Sequence, residues 1–261
     1  MNTDLYAFLG QYILVFALVL VRVGFVVAFL PVFGSRMVPL SIKAAMILIL
    51  SLIFTPLLVS RVHVPETTWG FILQTVPEAL LGLSMAFLIR LILAGVQFSG
   101  QLLGFQMGFG VANVIDPATG VESPVLSQMV YLVALLLFLL FDLHHYFLLA
   151  LGESFKFFPP GMIAPSKGVF LLLVERGEEI FRLGLKLLSP VLAILLLLQI
   201  ALGIVARFVP QINVMMISFP LTIALGLFFF GLTFELLGLT LKPSYEGAIQ
   251  GLPALMKAFG E

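Results

Sequence analysis

The sequence has no cysteine and very little charge. Only 10% of its 261 residues are Asp, Glu, Lys or Arg, against about 25% in an ordinary soluble domain. The absence of cysteine excludes disulfides, thiolate metal sites and thiol catalysis. Thirteen basic and thirteen acidic residues cancel, so the chain lacks the excess positive charge that a nucleic-acid-binding protein carries.

Hydrophobic residues make up 61% of the chain. A soluble fold of this size could not bury so much apolar surface, because a globule must still cover its outside. A lipid bilayer is the natural solvent for such a composition. The first twelve residues lack a basic stretch, and no small-residue cleavage motif follows them. We therefore expect the first hydrophobic helix to be retained.

Six hydrophobic runs are long enough to cross a bilayer, which takes roughly 20 apolar residues. They lie at residues 8–30, 40–59, 71–98, 125–149, 180–209 and 214–239. Helices satisfy their own backbone hydrogen bonds in lipid, so each run is predicted to be helical. The fold class predicted is an all-α integral membrane protein with about six long hydrophobic helices in a single domain over residues 1–261.

Signatures of enzyme chemistry are missing from the sequence. It contains no P-loop, no G-x-S-x-G elbow and no dinucleotide-binding glycine motif. Asp142, His144 and His145 lie together but lack the spacing of a helical zinc site, so we interpret them as a helix cap with two interfacial histidines. We predict that the chain is not an enzyme and has no catalytic residue, metal site or cofactor.

Isolated charges occur within the hydrophobic runs or at their edges. Such charges usually face protein or water, since they are costly in hydrocarbon. A proton or ion relay would use residues of this kind, but their positions are scattered and show no paired-carboxylate spacing. We predict interhelical ion pairs, or side chains that reach the membrane interface. The residues are Arg22, Glu78, Arg90, Lys186 and Glu235.

The segment 104–124 is the leading candidate for a functional element. Gly100, Gly104 and Gly108 recur every four residues, and on a helix they would form a stripe for close helix packing. Breakers follow, and irregular backbone is tolerated at membrane depth only where protein or a cavity surrounds it. The breakers are Gly110, Asn113, Asp116, Pro117 and Gly120. The same features also fit an ordinary water-exposed loop.

The last two hydrophobic runs are joined by a very short turn, so they must form an antiparallel hairpin. The turn and its surroundings read ARFVPQINVMMISFPL. Pro220 lies inside the sixth run, where it removes a backbone hydrogen bond and is predicted to kink the helix.

These two segments together resemble a known family. Gln106-Met107-Gly108-Phe109-Gly110, the pair Asp116-Pro117 and the run Ser123 to Leu126 resemble the R (or T) subunit family of the type III secretion export apparatus, the FliR family of flagellar biosynthetic proteins. His144-His145, placed before Ser154-Phe155 and Pro159, is also similar. The hairpin residues Arg207, Pro210, Gln211, Asn213 and Pro220 are similar to the family's C-terminal signature, and they resemble the turn of the small two-helix partner FliQ.

The resemblance implies a role in protein export. Such a subunit assembles with P- and Q-type export gate subunits (FliP and FliQ), and with FlhA-type and FlhB-type export proteins, in the bacterial inner membrane at the flagellar basal body. Residues 1–150 would be P-like, and residues 180–240 would be a Q-like helical hairpin. The substrates would be unfolded flagellar proteins, and the energy would come from other components.

The resemblance also implies a plug. The family's gate contains a loop that closes the central pore, and here that loop corresponds to residues 106–124, within the Gly-rich segment 104–124. The residues predicted to form the plug are Gln106, Met107, Gly108, Phe109, Gly110, Val111, Asn113, Val114, Asp116 and Pro117. Met107, Phe109, Val111 and Val114 could supply a hydrophobic seal that excludes water.

Some alternatives stay open at this stage. A secondary transporter of small solutes also uses broken helices, and a membrane-embedded scaffold without a pore is a further alternative. A virulence injectisome subunit belongs to the other branch of the same family. Two arguments about the membrane topology also disagree. The distribution of Lys and Arg favours a cytoplasmic N-terminus, whereas the resemblance places the turn from Arg207 to Asn213 on the cytoplasmic side. We follow the resemblance.

Overall fold

A computed structural model describes residues 2–35, 38–62, 65, 67–109, 125–162, 167–211 and 213–260. Every regular element within these residues is helical. The described residues form eight α-helices, with one turn of 3-10 helix (Val59–Arg61) after the second. They are α1 (Asn2–Phe29), α2 (Leu40–Leu58), α3 (Thr68–Gln106), α4 (Val125–Leu140), α5 (Leu143–Phe157), α6 (Lys167–Phe208), α7 (Val214–Leu232) and α8 (Phe234–Gly260).

Four of these helices are long and apolar enough to cross a membrane alone. They are Leu9–Phe29, Leu40–Arg61, Thr68–Gln106 and Lys167–Phe208. Two further pairs, α4 with α5 and α7 with α8, are each interrupted by a sharp bend, and counting each pair as one span gives six. The prediction of an all-α membrane protein with about six hydrophobic helices is confirmed.

Two predicted spans are broken where the sequence suggested continuous helices. The first break separates α4 from α5 at Asp142, whose backbone is left-handed with φ 54°. Asp is one of the few residues that tolerate this conformation. The second break lies at Thr233, between α7 and α8, where the threonine hydroxyl donates to the carbonyl of Phe230 at 2.8 Å. Helix α7 itself continues through Pro220.

Two other helices are longer than expected. Helix α3 has 39 residues and α6 has 42, which corresponds to about 58 and 63 Å at 1.5 Å per residue. The hydrocarbon core of a bilayer is only about 30 Å thick. The acidic run Glu175–Glu179 lies inside α6, where Glu178 pairs with Arg182 at 3.1 Å. The C-terminal residues up to Gly260 belong to the long α8.

The contacts divide the chain into two compact units. Unit 1 comprises residues 1–90, 142–176 and 245–261, and unit 2 comprises residues 91–141 and 177–244. The core of unit 1 includes Leu18, Met85, Phe147, Phe155 and Tyr245, all fully buried or nearly so. Unit 2 has an apolar core of its own, which includes Leu103, Met107, Phe138, Leu188 and Leu241.

Large apolar side chains also cover the outside of several helices. Helix α6 is the clearest case, because only 17% of its most apolar stretch is buried. A water-soluble protein rarely exposes contiguous apolar patches of this kind, whereas lipid or partner helices would cover them. The exposed side chains on α6 include Leu196, Leu197, Ile200, Ile204, Val205 and Phe208.

Candidate functional site

The end of helix α3 is capped where the Gly-rich segment begins. Gly108 has φ +90°, a left-handed conformation that glycine adopts without a steric penalty. The N–H of Gly108 donates to the carbonyl of Phe105, and the N–H of Phe109 donates to that of Gly104, each at 3.0 Å. This pair of bonds defines a Schellman motif, which satisfies carbonyls at the end of the helix.

Met107, which follows the last residue of α3, packs on helix α7 within unit 2. Met107 is fully buried, and its backbone carbonyl accepts a hydrogen bond of 3.2 Å from the hydroxyl of Thr222. Its side chain lies against Gly226, where a Cβ would come within 2.7–2.9 Å of the Met107 Cγ, Sδ and Cε atoms. Burying one methionine contributes about 1.5–3 kcal/mol, and the hydrogen bond adds about 0.5–1.5 kcal/mol.

Gly108 is also confined by a neighbour on α7. A Cβ at this position would lie 2.7–2.8 Å from the ring of Phe219. Any side chain here would therefore clash with that ring, and it would in addition be strained by the positive φ. Both constraints require glycine at position 108.

Helix α6 contributes a third contact to this end of α3. The side-chain amide of Gln199 donates to the side-chain oxygen of Gln106 at 2.9 Å and to its backbone carbonyl at 3.1 Å. The structure thus brings together two segments that the sequence analysis singled out separately, namely the start of the predicted plug and the C-terminal hairpin.

The glycine stripe is used in a different way from the one expected. A Cβ on Gly100 would overlap the backbone of Ser127 at the start of α4, whereas a Cβ on Gly104 would meet only Leu126 Cδ1, at 3.9 Å. Gly108 lies beyond the end of the helix, so it cannot continue a helical stripe. The close backbone approach is therefore concentrated at Gly100.

Together these contacts attach both ends of the Gly-rich segment to helices of unit 2. Residues 106–108 lie on α6 and α7, and Leu126 and Ser127 pack on α3. Six of the predicted plug residues, Gly110, Val111, Asn113, Val114, Asp116 and Pro117, lie outside the described residues.

The turn of the C-terminal hairpin is exposed. Arg207 lies in the last turn of α6, and Pro210 and Gln211 follow that helix. Asn213 caps α7, since its side chain accepts a hydrogen bond of 3.4 Å from the N–H of Met216. Pro220, one turn and a half into α7, is exposed as well. None of these five side chains is covered by the rest of the described chain, which leaves the turn open to a partner.

A buried ion pair lies in the core of unit 1. Arg22 on α1 and Glu78 on α3 are both fully buried, with 2.6 Å between Arg22 Nε and Glu78 Oε2. The interhelical ion pair predicted for these charges is confirmed.

Further partners satisfy the guanidinium and the carboxylate. The guanidinium donates to Ser154 Oγ at 3.2 Å and to the carbonyl of Phe158 at 3.0 Å, and it lies 4.3 Å from the ring centroid of Phe155. The other oxygen of Glu78 accepts a hydrogen bond of 2.8 Å from the N–H of Gly161. The pair therefore fixes the segment after α5 to two other helices.

The cluster around Asp142 only partly fits the interpretation as a helix cap. Asp142 occupies the N-cap position of α5, but its side chain makes no capping hydrogen bond. Its carboxylate lies 3.5 Å from His145 Nδ1, and the His144 and His145 rings are 4.2 Å apart. The three side chains are close enough to share a cation, although the exposed carboxylate and His145 already pair with each other.

Three residues that contact the start of the predicted plug, Gln199, Thr222 and Gly226, were not predicted from the sequence. They carry no charge and belong to no recognised motif. The polar character of Gln199 and Thr222 within long stretches of Leu, Ile and Phe was the available signal, since polar side chains at membrane depth usually bond another helix.

Comparison with protein families now adds to this geometry. Residues 13–247 match the model of the bacterial export proteins, family 1. The chain belongs to this family.

Curated relatives of the chain are flagellar. The flagellar biosynthetic protein FliR of Bacillus subtilis (strain 168) is 35% identical over 217 residues, which are 81% of this chain and 82% of the relative. FliR of Escherichia coli (strain K12) is 32% identical over 208 residues, 80% and 79% of the two chains. FliR of Aquifex aeolicus (strain VF5) is 27% identical over 234 residues, 88% of each.

These matches confirm the resemblance seen in the sequence motifs. The bacterial export family and its flagellar members indicate a membrane-embedded subunit of the flagellar export apparatus. They favour this function over small-solute transport, and the flagellar branch over the injectisome branch.

Proposed function

We propose that this chain is the subunit of the flagellar type III export gate that closes the channel at rest, with residues 104–124 as the plug. The channel would pass unfolded flagellar proteins across the bacterial inner membrane. The observation that carries the proposal is the attachment of both ends of this segment within unit 2, by Gln106, Met107 and Gly108 near its start and by Leu126 and Ser127 just after its end. A plug must be held at both ends if it is to return to one place after each substrate.

The residues of the segment divide into an anchor and a seal. Met107 is fully buried against Gly226, so it serves as an anchor and does not reach a pore. Phe109, Val111 and Val114 then provide the apolar surface that excludes water. Gly110, Asn113, Asp116 and Pro117 supply the turn chemistry that lets the segment fold within a narrow channel.

The partners in the proposal are P- and Q-type export gate subunits together with FlhA-type and FlhB-type proteins. Residues 1–150 act as a P-like part, and residues 180–240 act as a Q-like hairpin. The support is physical: helix α6 exposes a row of large apolar side chains, and the described residues of the hairpin turn, 207–211 and 213, are uncovered. Surfaces of this kind are covered by neighbouring helices in membrane assemblies.

The proposed role is structural and needs no chemistry from this chain. The sequence contains no nucleotide-binding or nucleophile motif. The chain would act as a channel component without a cofactor, while the export energy comes from other subunits.

Co-expression tests the assembly part of the proposal. The chain is expressed with a tag, with and without the P- and Q-type subunits of the same organism, and the purified material is sized in detergent. We expect one defined complex that contains all three proteins. Recovery of this chain without either partner would contradict the assignment.

Deletion of residues 110–120 tests the plug. In cells that make the complete apparatus, the deletion should raise membrane conductance to small ions and slow growth, while the complexes still assemble. Gly177→Ala serves as a matched control, because a Cβ at that position would meet nothing within 4 Å. Normal conductance in fully assembled deletion complexes would show that the segment is not a plug.

A further inference from the structure

Helix α7 of the C-terminal hairpin provides the seat for the start of the Gly-rich segment, namely the surface formed by Phe219, Thr222 and Gly226. We infer that Met107 and Gly108 are a fixed anchor, which stays docked on helix α7 while substrates pass, with Thr222, Phe219 and Gly226 as the residues that position it. This inference rests on the plug proposed above, and it assigns the point from which that plug is held.

The contacts of Met107 with the seat are energetically unfavourable to break. Met107 is fully buried, and Gly226 leaves the space that its side chain fills. The hydroxyl of Thr222, itself buried, lies 3.2 Å from the carbonyl oxygen of Met107 and 3.1 Å from that of Phe219, so its single proton is shared between the two. Releasing Met107 would expose its side chain and empty the space at Gly226, and both changes are unfavourable.

The residues just before Met107 are more exposed than Met107 itself, so the anchor begins at Met107. Gln106, which is half-buried, bonds the exposed Gln199, and Phe105, the residue before it, is 76% exposed. Gly108 has the positive φ at which the chain leaves α3, and the ring of Phe219 holds it in place. Gly108 is therefore the last residue of the anchor, at the end of helix α3.

A disulfide that links position 107 to helix α7 tests whether residue 107 has to leave the seat during export. The pair Met107→Cys and Gly226→Cys is suited to this, because a Cβ on Gly226 lies 2.7 Å from Met107 Cγ. The two Cβ atoms are therefore at most about 4.2 Å apart, and a disulfide needs about 3.5–4.5 Å. The chain has no other cysteine, so formation of the bond can be read from the loss of free thiols.

The experiment compares export in the same cells before and after oxidation. The double variant is expressed in a strain with the complete apparatus, oxidised with copper–phenanthroline, and assayed for secretion of flagellar protein. Met107→Cys alone is the control for effects of the oxidant. We expect the disulfide to form in most chains and secretion to stay within about twofold of its level before oxidation. Loss of secretion on oxidation and its return with reductant would overturn the inference, and so would failure of the disulfide to form.

A second pair of variants tests the seat without new bonds. Gly226→Ala inserts a methyl group into the Met107 side chain, whereas Gly231→Ala, on the same helix, meets nothing within 4 Å. Gly226→Ala should raise the resting ion leak of assembled complexes severalfold, and Gly231→Ala should leave it unchanged. Equal leak in the two variants would contradict the anchor.

The two proposals can fail separately. If deletion of residues 110–120 leaves conductance unchanged, the plug is wrong, but formation of the disulfide with normal secretion still supports a fixed seat. If the disulfide blocks secretion while the deletion raises conductance, the plug stands and the fixed anchor is wrong.

Discussion

Removal of one partner of the buried ion pair should destabilise unit 1 strongly. Arg22 and Glu78 are fully buried, and the carboxylate also accepts a hydrogen bond from the N–H of Gly161. Glu78→Leu leaves a buried guanidinium without a counter-charge, which costs about 3–5 kcal/mol. It also leaves the Gly161 N–H unsatisfied, which costs about 1–3 kcal/mol more. The expected loss is therefore on the order of 4–8 kcal/mol.

Removal of both partners should cost less than removal of one. The double variant Arg22→Met with Glu78→Leu has no buried charge, and replacing a buried pair by apolar residues of similar volume is often close to neutral. The remaining costs are the Gly161 N–H and the Phe158 carbonyl, which lose their partners. We expect the double variant to recover on the order of 3 kcal/mol relative to Glu78→Leu.

Heat-induced dissociation provides the assay. The purified export-gate complex is heated in detergent, and the temperature at which this chain is lost from the complex is measured by gel filtration. The expected order of midpoints is wild type, then the double variant, then Glu78→Leu. Arg182→Ala serves as a control, because its pair with Glu178 is exposed and such pairs contribute about 0–1 kcal/mol. A double variant less stable than the single variant would refute the role assigned to the pair.

Three further predictions concern packing, topology and assembly. Gly100→Ala should reduce the yield of assembled complex severalfold, because its Cβ would overlap the backbone of Ser127. Gly104→Ala, whose Cβ would meet only Leu126 at 3.9 Å, should have no effect, and equal yields would contradict the close approach at Gly100. A single cysteine in place of Gln211, which is exposed, should react with a thiol reagent from the cytoplasmic side, and labelling from the periplasm would reverse the proposed topology. The chain expressed alone should be heterogeneous in detergent and become monodisperse only with its partners, as size-exclusion chromatography with light scattering would show; a stable lone monomer would weigh against the assignment as a gate subunit.

The sequence was a good guide to the helices because apolar runs of spanning length have few alternatives to helix in lipid. It was a poor guide to their ends. Helix α6 begins at Lys167, well before the predicted run at residues 180–209, because Leu, Lys, Glu and Arg are all good helix formers. The break at Thr233 falls within an apolar stretch, where composition gives no warning of a bend, whereas Asp142 had been interpreted as a helix cap although the run around it was predicted as one span.

The candidate site was predictable in part. The glycines and turn formers located the Gly-rich segment, and the short connection located the hairpin, because both signals are local in sequence. That the two meet could not be read from the sequence, since Met107 and Thr222 are 115 residues apart and the contact depends on how the helices pack. The ion pair was expected in kind, but its partners Phe158 and Gly161 bond through backbone atoms, which leave no signature in the side chains.

The central claim is that residues 104–124 close the channel at rest, and ion flux through purified complexes tests it most directly. Wild-type complexes and complexes that lack residues 110–120 are reconstituted into vesicles at equal density, and efflux of a small ion is followed without any substrate. The account predicts tight vesicles with the wild type and rapid efflux with the deletion. Equal, slow efflux from both would contradict it.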